Sequence, residues 1–84
     1  MLRESGRKEY AAVTGLLQDL RKAAGLRQID LAERLHVPQS FISKYESGER
    51  RLDIIEIHSV CKVLGISLPD FARRLERKLR AREL

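Results

Sequence analysis

Apolar residues recur along the chain in five short bursts, each at helical spacing. Val13, Leu16, Leu17, Leu20 and Ala24 fall at i, i+3, i+4, i+7 and i+11, the stripe of an amphipathic helix. It predicts a first helix from about Glu9 to Ala24, closed by Gly25, with Arg21 and Lys22 favourable to the dipole of its last turns. Gly15 inside it costs roughly 1 kcal/mol relative to alanine, so either close helix packing or simple tolerance accounts for it. Ile29, Leu31, Ala32 and Leu35 mark a short second helix whose Asp30, Glu33 and Arg34 face water. Pro38 presets its own φ and biases Val37 away from helical angles, so that helix must end before it, and a third begins at Gln39. There Ile42 and Tyr45 form one buried edge and leave Gln39, Ser40, Ser43 and Lys44 pointing outward.

Two further starts are written as capping sequences. Asp53-Ile54-Ile55-Glu56 is a capping box, after which Ile54, Ile57, Val60, Cys61 and Leu64 give a fourth stripe ended by Gly65. Ser67-Leu68-Pro69-Asp70 starts a fifth helix through Phe71, Leu75 and Leu79. Phe71 and Leu75 are expected to close the core against the first helix. Leu79 lies one turn further out, where a chain this small has little to cover it and a partner chain could serve. The domain plan is therefore a flexible arm over 1–8, an all-α body over 9–72 and a basic helical extension over 73–84.

The second and third helices with their tight turn carry the chemistry. Polar side chains that together donate and accept hydrogen bonds suit base edges in a major groove, and Gln39, Ser40 and Ser43, which do both, with Lys44, which donates, make such a set. The run Gly25-Leu26, Gln28, Leu31-Ala32, Leu35, Val37, Ile42-Ser43, Tyr45-Glu46, Gly48 and Arg50 resembles the helix-turn-helix of the Cro/CI-like (XRE) family of bacterial and phage transcriptional regulators. The likeness extends over about residues 10 to 72. Two features depart from the family pattern. His36 stands at the turn position where glycine is usual, a place expected to need positive φ. Arg27 and Pro38 stand where serine or threonine caps the second and third helices, a loss on the order of 1 kcal/mol per cap unless another group serves.

The resemblance implies a five-helix, lambda-repressor-like domain that binds double-stranded DNA, probing base edges with Gln39, Ser40 and Lys44, and more weakly with Ser43. Gln28, Arg50 and Arg51 would hold phosphates and set register. An ion pair between Arg21 and Glu46 would tie the first helix to the recognition helix. Homodimers on inverted repeats are common in the family, often as repressors, with the two reading helices about 34 Å apart on one face of the duplex. Gly48 is expected in the left-handed conformation of the loop that follows.

Composition narrows these expectations. The 84 residues carry a net charge of +5, but residues 1–72 hold 11 Lys and Arg against 10 Asp and Glu, and residues 73–84 hold 6 against 2. The basic excess thus lies in the tail, and the case for DNA rests on the local placement of Lys44, Arg50 and Arg51 rather than on pI. The tail also keeps open an alternative in which the chain is a protein-interaction module, antitoxin-like, that acts through its fifth helix. No apolar run reaches membrane length and MLRESGRKEY has no signal-peptide core, so a cytoplasmic chain with no membrane contact is expected. Cys61 has apolar neighbours and suits the core. His36, His58 and Cys61 share no ligand spacing, so no metal is expected. No phosphate loop, carboxylate pair or nucleophile set argues for an enzyme, and neither a cofactor nor a small-molecule ligand is anticipated.

Overall fold

The structure, a computed structural model, describes the backbone of residues 2–83 and the side chains of residues 8–81. Five helices follow one another: α1 Leu2–Ala23, α2 Gln28–Leu35, α3 Gln39–Glu46, α4 Ile54–Leu64 and α5 Leu68–Glu83. Helix α1 begins well before the expected Glu9, so residues assigned to a flexible arm are helical from Leu2, while Met1 lies outside the described residues. The physical reason is propagation: Arg3, Glu4, Arg7, Lys8 and Glu9 are good helix formers, and extending an already packed helix fixes one residue per added bond.

Several helix ends are closed by a group the sequence supplies, whereas α3 starts at Pro38 with no side-chain cap bond, as expected. At Gly25, φ is 74° and the amides of Gly25 and Leu26 donate to the Lys22 and Arg21 carbonyls at 2.9 and 3.1 Å, which stops α1 in a Schellman turn. Arg27 has no acceptor to cap α2, but Asp30 reaches back and accepts from the Arg27 amide at 2.8 Å and from its guanidinium at 3.0 and 2.9 Å. That contact satisfies the Arg27 amide rather than the first-turn amide a serine would serve, and it holds the Asp30 carboxyl at about 2, chiefly through the guanidinium bond. Asp53 and Glu56 form the expected capping box of α4, with amide-to-carboxylate bonds of 2.7 and 3.0 Å. Ser67 Oγ accepts from the Asp70 amide at 3.2 Å at the start of α5.

The core joins all five helices around Leu16, Leu17, Leu31, Ile42, Tyr45, Val60, Cys61 and Phe71. Burial pushes the Cys61 thiol up to about 11, as an apolar pocket does to any acid that becomes charged on losing its proton. Helix α1 is central, packing against α3, α4 and α5, while α2 lies on α3 and α4. Two stripe members are corrected. Ile54 is 59% exposed, because the first residue of α4 precedes the turn that meets the core, and Ala24 is exposed beyond the end of α1. Ile55 beside it is 70% exposed. Leu75 packs on the core, and Leu79 is half-buried near the end of α5. Gly15 lies under α5: a Cβ there would meet Lys78 Nζ at 3.3 Å, and that ammonium also faces Asp19 at 3.6 Å. No helix among the described residues is long and apolar enough to cross a membrane.

Candidate nucleic-acid interface

Helix α3 is split lengthwise. Ile42 and Tyr45 are fully buried, whereas Gln39, Ser40 and Lys44 are exposed and Ser43 is half-buried. Spacing of one, four and five residues from Gln39 places the four polar side chains on one edge. The hydroxyl of Ser43 donates to the Ser40 carbonyl at 3.3 Å, so it is partly engaged by its own helix. Phe41, between the two edges, meets Tyr45 edge to face with ring centroids 6.0 Å apart. The Tyr45 hydroxyl has no hydrogen-bond partner among the described residues, and burial raises its pKa.

The C-terminal end of α3 is anchored by a buried carboxylate. Glu46, its side chain 3% exposed, accepts from Arg21 Nε at 2.7 Å and Nη2 at 3.0 Å, and Arg21 also donates to the Leu26 carbonyl at 2.7 Å. This two-point bond fixes orientation as well as distance, and it holds the Arg21 guanidinium further into its charged form. Gln28 Nε2 gives Glu46 a third bond at 3.0 Å, and Gln39 Nε2 approaches Gln28 Oε1 at 3.5 Å. A polar chain therefore runs from the exposed start of the reading edge, through α2, to the ion pair beneath it.

Arg50 and Arg51 are held differently. Arg50 binds Glu56 at 3.2 and 2.9 Å, donates to the Arg51 carbonyl at 3.0 Å and lies over the Phe41 ring at 4.5 Å. The guanidinium in turn lowers the Glu56 pKa. Arg51 is exposed and lies over the Tyr10 ring at 4.6 Å, and the Tyr10 hydroxyl accepts from the Leu52 amide. The sequence signalled neither Tyr10, Phe41 nor Glu56 as a partner of these arginines. Glu56 was legible only as a capping residue, and nothing in the spacing links Tyr10 to a loop 42 positions away.

A short helix with a buried edge, a polar outer edge and a second helix braced across its start defines a helix-turn-helix, the class of fold that presents one helix to a DNA groove. A helix-turn-helix family model matches residues 17–71, and the chain belongs to that family, the XRE-type transcription regulators, which bind DNA and are not enzymes. Solved relatives agree. The chain is similar to an XRE-family like protein from Pseudomonas syringae pv. tomato str. DC3000, at 44% identity and TM-score 0.79 over 84% of this chain and 87% of that one. It is also similar to the wild-type restriction-modification controller protein C.Esp1396I, at 25% identity and TM-score 0.79 over 84% and 91% of the two chains. The clp gene regulator ClgR from Corynebacterium glutamicum shares the fold at 24% identity and TM-score 0.79, over 89% and 80%. Among curated proteins none matches.

Proposed function

We propose that the chain is a cytoplasmic regulator that reads a specific double-stranded operator as a homodimer on an inverted repeat, with α3 in the major groove. The observation that carries this is the rigid presentation of the α3 outer edge: Ile42 and Tyr45 are wholly buried behind it, and Glu46 is bound by both Arg21 and Gln28. A reading helix fixed in this way loses little freedom when it meets DNA. Gln39 then uses one Nε2 hydrogen toward Gln28 and keeps the other, with Oε1, for the N7 and N6 edge of adenine. Lys44 reaches guanine, Ser40 a neighbouring base, and Ser43 contributes more weakly. Gln28 retains an amide hydrogen for a phosphate, and the loop carrying Arg50 and Arg51 follows α3 toward the backbone.

The second reading, a protein-interaction module built on α5, is favoured by the placement of charge. Even there Arg73, Lys78 and Arg80 are paired with Asp70, Asp19 and Glu76, which leaves Arg74 and Arg77 as the exposed arginines of α5 without such a partner among the described residues.

Selection from a randomised double-stranded DNA library, followed by sequencing, tests the regulator. An enriched inverted repeat is expected, with affinity that falls steeply as salt rises. Gln39→Ala and Lys44→Ala should each cost about 1–3 kcal/mol at one base position per half-site. Absence of any enriched sequence at low salt, from folded protein, overturns the reading and turns the search to a protein partner of α5.

A further inference from the structure

The two arginines that follow the reading helix are chemically alike and structurally opposite. Three N–H groups of Arg50 are directed inward, two to Glu56 and one to the Arg51 carbonyl, and Phe41 covers one face of its guanidinium. Turning Arg50 to a phosphate would leave the Glu56 carboxylate without its counter-ion. Arg51 has no carboxylate partner among the described residues, and its guanidinium rests on the Tyr10 ring at 4.6 Å. The peptide that carries it is pinned on both sides. Its carbonyl accepts from Arg50, and the next amide, that of Leu52, donates to the Tyr10 hydroxyl. Tyr10 therefore holds the backbone of this loop and underlies the guanidinium of its one exposed cation.

We propose that Tyr10 is a positioning residue for DNA binding, a stacking platform that presents the Arg51 guanidinium as a phosphate clamp while Arg50 serves as the internal brace of the same loop. The proposal rests on the DNA-binding function above and names which residue of its loop takes the backbone. A planar guanidinium fixed by stacking offers paired donors to phosphate oxygens and loses little side-chain freedom on contact. The ring supplies attraction through its negative face without consuming an N–H group. Tyr10 belongs to the N-terminal half of α1, so this half of the helix becomes part of the DNA-facing apparatus.

The experiment measures affinity for the selected duplex against salt in wild type, Arg51→Ala, Arg50→Ala, Tyr10→Phe, Tyr10→Leu and the double variants Tyr10→Leu/Arg51→Ala and Tyr10→Phe/Arg51→Ala, each checked for folding by thermal melting. Tyr10→Phe and Tyr10→Leu both lose the bond from the Leu52 amide, but only the second loses the ring. Arg51→Ala should make the slope of log affinity against log salt shallower by about 0.9, the value of one released phosphate contact. Arg50→Ala should lower the melting temperature and leave that slope in place. Tyr10→Leu should bind about two- to fivefold more weakly than Tyr10→Phe, a difference that vanishes once Arg51 is alanine. If Tyr10→Leu does not fold, Arg51→Lys replaces it, with the slope kept and the affinity about two- to fivefold lower. An unchanged slope in Arg51→Ala overturns the clamp alone, as does a Tyr10 effect that persists without Arg51 or an Arg51→Lys protein as tight as wild type. A folded wild type that binds no duplex overturns the proposed function and the clamp together.

Discussion

His36 occupies the turn between α2 and α3 with φ 59° and ψ 44°, and is the one described residue other than glycine at positive φ. The turn needs this conformation because the chain must reverse within His36, Val37 and Pro38, and the amides of His36 and Val37 close α2 on the Glu33 and Ala32 carbonyls at 3.3 and 3.0 Å. For an L-residue the left-handed region costs roughly 1–2 kcal/mol, which glycine avoids at the expense of unfolded-chain entropy. His36→Gly should therefore stabilise the fold by up to about 1 kcal/mol. The check is a urea melt, in which the midpoint rises with an unchanged m-value. The departure of His36 from the family pattern was legible in the sequence together with its conformational consequence, since one residue in one turn settles it.

Among the elements, α2 and α3 are stabilised by charged contacts of two kinds. Arg27 and Asp30 at the start of α2 are at the surface, and the depressed Asp30 pKa makes their contribution depend on pH. The folded value, about 2, lies below the ordinary 3.8, so the contribution is complete above about pH 4 and disappears as pH falls through 2. Asp30→Ala should therefore be less stable than wild type at pH 5, with the gap closing by pH 2, as read from urea midpoints at each pH. The pair beneath α3 is buried instead. Removing one partner strands a charge, and Glu46→Ala should cost about 3–5 kcal/mol. That corresponds to a fall of at least about 12 °C in melting temperature. An Arg21→Met/Glu46→Leu double variant should recover much of this stability, since buried ion pairs are replaceable by apolar ones. It should not recover operator affinity, because Gln28 would lose the carboxylate that braces it. Calorimetry and a binding titration on these two variants and the wild type decide both points. The Arg21–Glu46 pair was accessible to family resemblance, but its third member was not: Gln28 and Glu46 are 18 positions apart and only the crossing of α2 over α3 brings them together.

At the scale of the whole molecule, the proposed homodimer requires a surface on which two copies of the chain meet. The last turns of α5 carry Leu79, half-buried, among Arg77, Lys78 and Arg80. Like charges on facing helices would oppose an α5 pairing, but the ion pairs of Lys78 and Arg80 reduce that repulsion. We expect the chain to sediment as a dimer at micromolar concentration and Leu79→Lys to shift it toward monomer, with loss of tight binding to the full inverted repeat. A dimer that Leu79→Lys leaves unmoved would transfer the interface to Ile54 and Ile55, the large apolar side chains that the described surface leaves most exposed.

Periodicity and capping chemistry determined the order of the five helices, the breaks at Gly25, Pro38 and Gly65, and the polar edge of α3, because these depend on residues within one or two turns of each other. The boundaries of α2, α3 and α4 follow from the same local physics. Tertiary structure alone decided the rest. It exposed Ile54 at the mouth of a helix whose stripe included it, and covered Gly15 with Lys78. It also divided two adjacent arginines between a carboxylate on α4 and an aromatic ring on α1. No helical period encodes such pairings, since they are set by how the packed core turns one helix against another, and that packing is a property of the whole chain.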